Sequence, residues 1–475
     1  MIGFVVTLIA LATLAFGAVY PWAYLPLYAA AALIGVITLV RGGVRARLRP
    51  FAVALVLVWL AVVVQLVPMP RGLLDVMSPR ASALLNAFSV PFATGNVAAW
   101  PLSIDPRDTR IAAAALAAFS LYVLGLSSQL GGDRLRQMPT ALAMFAVPLA
   151  LFGILTREYN TNDRLYWFWQ PEQGGGDLFG PFVNRNHFGG WMLMTVCVLV
   201  GALIGHLERA LEEHTRRPRR HIEWLSSGHA NTVIRMGLAV AITIISLFWT
   251  LSRSAMTGFA IAAAAFAWLT LRRRALGTTR RAAVLAALGA VALAGVVWRG
   301  PARLVAWFQF PNELSVVGRL DAWRDGWQVV RNFPLTGTGL NTYSDAMLFY
   351  QTRNRNYHLA QAHNDYLQLL AEGGLLVAIP AAVALVLLAL AVHHNLLAAE
   401  PEARGYWVRA GAAIGMLAVG VQELFEFSLQ MPANSLLFCT LAALALAPVR
   451  SGSHREARGN INSNPPEGRS RGAVP

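Results

Sequence analysis

Apolar runs recur along this chain at close to one length, about 17 to 22 residues. About 20 residues of helix are needed to cross a hydrocarbon core. We place spans at about 2–20, 23–40, 51–68, 110–130, 139–156, 187–206, 233–250, 254–271, 282–298, 373–392, 409–429 and 433–447. The composition agrees: 56% of the 475 residues are hydrophobic, 13% are charged, and the mean hydropathy is +0.50. Soluble domains carry about 25% charge. A transmembrane β-barrel would show alternating segments of about ten residues, a pattern not seen in this sequence. The expected fold is an all-α polytopic membrane protein with about 12 transmembrane helices.

The net charge of +15 comes from arginine, with no lysine in the sequence. In a soluble chain that excess would point to nucleic acid; here topology and anionic lipid explain it better, and no nucleic-acid partner is expected. Arginines crowd alternate links: Arg41, Arg45, Arg47 and Arg49 after the second span, Arg134 and Arg136 after the fourth, and Arg209, Arg216, Arg217, Arg219 and Arg220 after the sixth. Arg272, Arg273, Arg274, Arg280 and Arg281 follow the eighth, and five more lie in the tail. The positive-inside rule then places both termini in the cytoplasm. Three long links, about 69–109, 157–186 and 299–372, fall on the opposite side. The last is rich in aromatics and glycine and is expected to fold as a large helical loop on that non-cytoplasmic side. Ile2 to Tyr20 has no leading basic region and reads as a retained helix. Cys197 and Cys439 lie in apolar segments and read as small core residues. The chain divides into N-terminal helices with outer loops (1–180), a core that includes the large loop (181–447), and a tail (448–475) whose composition predicts disorder.

Polar chemistry gathers where the large loop meets a membrane helix. His363-Asn364-Asp365-Tyr366-Leu367-Gln368 runs through Glu372 and Gly373-Gly374 into an apolar segment. A helix starting near His363 would put His363, Tyr366, Leu367 and Leu370 on one face. His363 reads as a hydrogen-bonded structural residue or as a proton acceptor near neutral pH. Asp365 or Glu372 would orient it, or would solvate the helix. Upstream, Gly318-Arg319-Leu320-Asp321-Ala322-Trp323 opens an amphipathic helix with Leu320, Trp323, Trp327 and Val330 at helical spacing. It reads as an interfacial helix, or as one that points Arg319 at a substrate anion, for which arginine's planar fork suits phosphate oxygens.

Two more marks lie at outer helix ends. Ser252-Arg253-Ser254 separates two apolar segments with almost no loop, and charge at such a depth is retained mainly with a partner; a tight turn with a snorkelling arginine is the alternative. Asn184-Arg185-Asn186-His187 opens the sixth span at a helix N-terminus, which favours anions. Glu423 and Glu426 sit near the outer end of the eleventh span, as structural ion-pair partners for one of these arginines. No zinc-ligand spacing, aspartate-rich motif or nucleotide loop is present, so no metal or cofactor is expected.

Four stretches together resemble the O-antigen ligase/polymerase family: Phe182 to Phe188, Ser252-Arg253-Ser254, Gly318 to Trp323, and His363 to Gln368. The resemblance is best from about 180 to 445. Trp100-Pro101-Leu102-Ser103-Ile104-Asp105-Pro106 is also similar to a segment of bacterial members. The resemblance implies a glycosyltransferase-C-like fold in the bacterial inner membrane, which makes the large helical loop periplasmic. It also implies transfer of a glycan from undecaprenyl diphosphate to an acceptor hydroxyl, on lipid A-core or another glycan, at the periplasmic face. Arg253 and Arg319 would hold the donor diphosphate, His363 would deprotonate the acceptor, and Arg185 and His187 would line the donor site, without a metal. A repeat-unit polymerase of O-antigen or exopolysaccharide would need the same donor chemistry. From a different class, a lipid-linked glycan transporter would place its ionisable residues near mid-membrane.

Overall fold

The computed structural model describes residues 1–160, 164–172, 177–216, 228–273, isolated positions between 277 and 289, 313–353, 355, 357–399 and 403–449. Most of the expected span at 282–298 lies outside the described residues, as do the start of the large loop, Arg217, Arg219, Arg220, Arg274, Arg280 and the tail from 450. In chain order the helices are α1 (Ile2–Leu14), α2 (Pro21–Gly42), α3 (Arg49–Val64), α4 (Arg71–Met77), α5 (Pro79–Phe88), α6 (Val90–Ala93), α7 (Pro106–Gln129) and α8 (Asp133–Tyr159). They continue with α9 (Arg185–Arg216), α10 (Gly228–Trp249), α11 (Arg253–Arg272), α12 (Glu313–Asn332), α13 (Tyr343–Tyr350), α14 (Asp365–Ala399), α15 (Ala403–Gln422) and α16 (Pro432–Ala445). The described strands, β1 (Met69–Pro70) and β2 (Ala99–Trp100), pair antiparallel with Met69 opposite Trp100.

Eight of these helices, α2, α3, α7 to α11 and α14, are long and apolar enough to cross a membrane. The protein is therefore an integral membrane protein. Of the about twelve spans expected, these eight are found among the described residues. Two more of the expected spans appear as shorter apolar helices, α1 and α16. Another appears as α15, whose 20 residues include Arg409 and Gln422.

The sequence of α9 explains its central place. It is apolar on every face from Phe188 to Leu203 and is buried on every face, as such a helix must be. It packs against α8, α10, α11, α15 and α16. The closest approach is to α15, where a Cβ on Gly201 would stand 2.2 Å from the Trp407 carbonyl oxygen and 3.0 Å from the Gly411 Cα. Small residues at this crossing bring the backbones into contact, and contact replaces the hydrophobic drive that lipid cannot supply.

The bundle has two chemically different ends. At one, Arg45 donates to the Leu446 carbonyl, Arg409 to those of Ala447 (3.2 Å) and Pro448 (2.7 Å), and Asn395 to those of Ala445 and Ala447. These bonds satisfy carbonyls that the end of α16 would otherwise leave unmade. Nearby, the buried Arg273 and Glu208 form an ion pair at 2.9 Å, and Trp407 donates to the same carboxylate. Among the described residues, Arg45 and Arg273 of the arginine-rich links lie at this end.

The other end carries a folded cap. Residues of α5, α12, α13 and the stretch before α14 share a second apolar core around Ala322, Val329, Phe333, Tyr343 and Met347. Gln65, just past α3, ties the cap to the bundle: its amide donates to the carbonyls of Thr336 (2.7 Å) and Glu372 (2.9 Å) and accepts from the Leu340 amide (3.1 Å). The Trp100–Pro106 stretch locks the same turn, with the Ile104 amide on the Thr338 carbonyl (2.8 Å) and Thr109 on that of Leu340 (2.9 Å). Gly337 and Gly374 cross here with φ of 62° and 55°, and a Cβ on Gly374 would stand 2.4 Å from the Gly337 nitrogen. Only glycine tolerates both the left-handed backbone and the approach. The kink at Gly374 divides α14 into a short cap helix and a membrane helix, at the double glycine where the sequence passes from polar to apolar.

Gly201→Leu should destabilise the protein by about 1–3 kcal/mol or more, because the new side chain meets backbone that cannot yield. Gly3→Leu is the control, since nothing stands within 4 Å of its Cβ position. Heating detergent-solubilised protein and measuring the soluble monomer fraction should show a lower midpoint for the first variant only.

Candidate functional site

The polar residues of the His363 motif are placed by a helix start. The Asn364 side chain caps α14 by accepting from the Leu367 amide (3.0 Å), and the Asp365 amide donates to the Glu423 carbonyl (3.0 Å). His363 therefore lies outside the helix, with φ at 51°. The expectation that it shares a helical face with Tyr366, Leu367 and Leu370 is corrected: the cap forms one residue later. Non-glycine residues in left-handed backbone are uncommon and concentrate at functional sites.

That backbone turn aims His363 at Glu426. Its Nδ1, buried and without a hydrogen bond, lies 3.7 Å from the Glu426 Oε2, while the side chain keeps 31% exposure. Glu426 itself is 1% exposed. Its Oε1 accepts from Asn186 (2.8 Å) and from the Arg319 guanidinium. Burial pushes the Glu426 carboxyl up, but the His363 ring, the Arg319 charge and the His187 ring outweigh it and hold the carboxyl below its ordinary range. The carboxylate thus joins α9, α12 and the entry to α14 through one residue that follows α15. The sequence reading offered Asp365 or Glu372 to orient His363. The structure gives that position to Glu426, because Asp365 turns to Gln430 (2.6 Å) and Glu372 turns away. The expected arginine partner is found for Glu426 but not for Glu423.

Phe427 stands between the two histidines, with ring centroids 4.6 Å from His187 and 4.9 Å from His363, both edge to face. His187 is only 2% exposed. It supports the site from beneath Phe427, and its carbonyl accepts from Asn434 (3.0 Å). Arg185 opens α9 and pairs with Asp177 at 3.1 Å, and Arg157 meets the same carboxylate at 3.5 Å. Arg253 opens α11, where the Ser252 hydroxyl caps the helix. Its charge is felt by Arg185 and it feels that of Arg319. Arg185, Arg253, Arg319, His187 and His363, from four separate stretches of sequence, thus share one electrostatic neighbourhood around Glu426.

The α12 helix forms over a longer range than expected, and its orientation fits the interfacial reading. Ala322, Asp325 and Val329 are buried, while Val317, Leu320 and Trp327 are exposed. The apolar stripe of Leu320 and Trp327 faces outward, not into the cap core, which suits a helix at headgroup depth. Trp323 leans on Phe425 at 6.2 Å.

A second layer of acids lies behind the first. Glu372, 5% exposed, accepts from the amides of Asn341 (2.8 Å) and Tyr343 (3.1 Å) and from Gln368 (3.0 Å). Glu423 is buried, and its burial, with Asp365 and Glu426 nearby, pushes its carboxyl well above the ordinary range. For a metal, the best-placed described group is Asp105, Asp108 and Asp345, whose carboxylate oxygens all lie within 4.8 Å of one another. Sequence spacing misses this trio because Asp345 is brought from a distant segment.

Residues 238–382 match the family model described as O-antigen ligase (Wzy_C). The match takes in Arg253, Arg319 and His363 and ends before Glu423 and Glu426. No curated protein matches the chain.

Glu426→Gln should cost about 3 kcal/mol, the low end for breaking a buried pair, because Arg319 keeps 26% exposure. The carboxyl's folded-state pKa is depressed, so its stabilisation is present above the unfolded value near 4.5 and is lost as pH falls through the folded one. Thermal melts from pH 7 to 3 should show the gap between wild type and Glu426→Gln closing at the acid end.

Proposed function

Starting from an O-antigen ligase-family domain over residues 238–382, we propose that the protein transfers a glycan from undecaprenyl diphosphate to an acceptor hydroxyl at the periplasmic face of the bacterial inner membrane. The observation that carries this reading is His363 facing the buried Glu426 carboxylate at 3.7 Å, with Arg319 paired to that same carboxylate and Arg185 and Arg253 within electrostatic reach. Arg253 and Arg319, with Arg185 behind them, bind the donor diphosphate. His363, its Nδ1 side held by Glu426, takes the proton of the acceptor hydroxyl on its other ring nitrogen. The acceptor oxygen attacks the anomeric carbon, the bond from that carbon to the diphosphate oxygen breaks, and undecaprenyl diphosphate leaves with the electron pair. The arginines stabilise the charge that grows on the leaving group, and Glu426 stabilises the imidazolium. A single displacement of this kind inverts the anomeric centre. The arginines supply the positive charge at the diphosphate, so the reading needs no metal.

The topology supports the same reading. Arg45 and Arg273, the described members of the arginine-rich links with contacts there, lie at the bundle end away from the site, and by the positive-inside rule we read that end, and with it both termini, as cytoplasmic. Arg185, Arg253, Glu423 and Glu426 sit at or just beyond helix ends, whereas a carrier places ionisable residues near mid-membrane. An enzyme that works at the outer face fits this better than a transporter.

His363→Ala should abolish transfer while leaving membrane insertion normal, and Arg319→Lys should fail wherever two-pronged phosphate contact matters. The glycan profile of a deletion strain beside its complemented strain tests the reaction itself. Full-length polymer stranded on undecaprenyl diphosphate, with bare lipid A-core or other acceptor, identifies a ligase. Single repeat units identify a polymerase. An unchanged profile removes both.

A further inference from the structure

Behind the His363–Glu426 site lies a chamber built with the opposite chemistry. Two cavities, of about 370 and 510 Å³, share the wall formed by Tyr28, Ile111, Asn341, Gln368, Glu372 and Gln430. They adjoin across that wall as two neighbouring lobes, bounded by α2, α7, α14 and the start of α16. Ala112, Ala115, Phe119, Leu340 and Leu369 make one lobe mainly apolar. Tyr20, Tyr24, Asp108, Glu172, Ser344 and Gln361 make the other polar. Arg185, Arg253, Arg319, His363 and Glu426 line neither lobe.

We propose that this chamber is a second ligand site, which takes an amphiphile with an uncharged saccharide head. Three observations lead there. First, the charge is wrong for phosphate: the acids Asp108, Glu172, Asp365 and Glu372 line the chamber, and among the described residues no arginine or histidine does. A wall of acids with no cation beside them offers an anionic head no counter-charge and so discriminates against it. Second, the polar groups are fixed in advance. Gln368 is held by Gln361 (2.7 Å), Glu372 (3.0 Å), Gln430 (3.2 Å) and the Ala362 amide (3.0 Å), so the wall need not be ordered when a ligand binds. Third, donors remain. Among the described residues no partner meets the Tyr24 and Tyr28 hydroxyls or the Gln361 amide nitrogen. The rings of Tyr24 and Tyr28 stack at 5.5 Å, 29° apart. Vicinal sugar hydroxyls need donors and acceptors side by side, and the apolar face of a pyranose needs an aromatic platform; this lobe offers both. The apolar lobe next to it takes the attached hydrocarbon chain. Use of the chamber to seat the acceptor rests on the transfer reading above; the site itself does not.

The test uses the full chain in lipid nanodiscs, with radiolabelled dodecyl maltoside as the neutral probe and dodecyl phosphate as the anionic one. Saturable binding of dodecyl maltoside above the empty-nanodisc baseline is expected, at least tenfold tighter than that of dodecyl phosphate. Ala115→Phe, which fills the apolar lobe, and Gln361→Ala, which removes a donor from the polar lobe, should each weaken it at least tenfold. The second variant keeps the test valid if the first misfolds. Binding no greater than to empty nanodiscs, equal binding of both heads, or affinity unchanged by Gln361→Ala would overturn the proposal. His363→Ala separates the two readings. It should keep full dodecyl maltoside binding while losing transfer; retained transfer would remove His363 as the base, an unchanged glycan profile in the deletion strain would sink the transfer reading, and either leaves the chamber standing.

Discussion

The site depends on one buried carboxylate. Glu426 is cut off from water and survives as an anion only because Arg319, Asn186 and the His363 ring converge on it. Desolvating a carboxylate costs several kcal/mol unless partners replace its hydration, so the partners and the carboxylate specify each other. Arg319 belongs to the cap, Asn186 to the first turn of the central helix, and His363 to the entry of α14. The charge that would prime a histidine is therefore also what seats the cap on the bundle.

Around that charge the backbone is over-determined. The turn from Thr336 to Leu340 is held by Gln65 from one side and by the Ser103–Asp105 stretch from another. The crossing of Gly337 with Gly374 leaves no space for it to shift. A left-handed backbone at His363 is affordable in such a frame, because the strain of one residue is opposed by many fixed contacts.

Much of this was legible in the residues and some was not. Long apolar helices announce themselves, since length and composition alone decide whether a helix can cross lipid. Arg253, Arg319 and His363 stood out because charge beside an apolar run needs a reason. Glu426 did not stand out as the partner of His363: Asp365 and Glu372 lie nearer to it in sequence, and nothing local reveals that the chain after α15 returns to the same spot. The outward face of α12 was one of two readings that its sequence left open. Periodicity finds an apolar stripe but does not say whether that stripe meets a core or a membrane, and here Leu320 and Trp327 point away from the core that Ala322 and Val329 enter. The Asp105–Asp108–Asp345 trio escaped for the reason that Glu426 did, as a product of tertiary proximity alone.

The two ends of α9 have a mechanical consequence. At the cap end Asn186 is tied to Glu426 and Gln422, and at the far end Glu208 is tied to Arg273 and Trp407. Between them, Gly201 and Gly411 leave no clearance for rotation. Helices α9 and α15 are thus pinned in register and cannot slide by a turn, about 5.4 Å, without breaking bonds at both ends, and α11 is tied to them at its Arg273 end. They form a stator, a fixed frame against which the elements around it are seated.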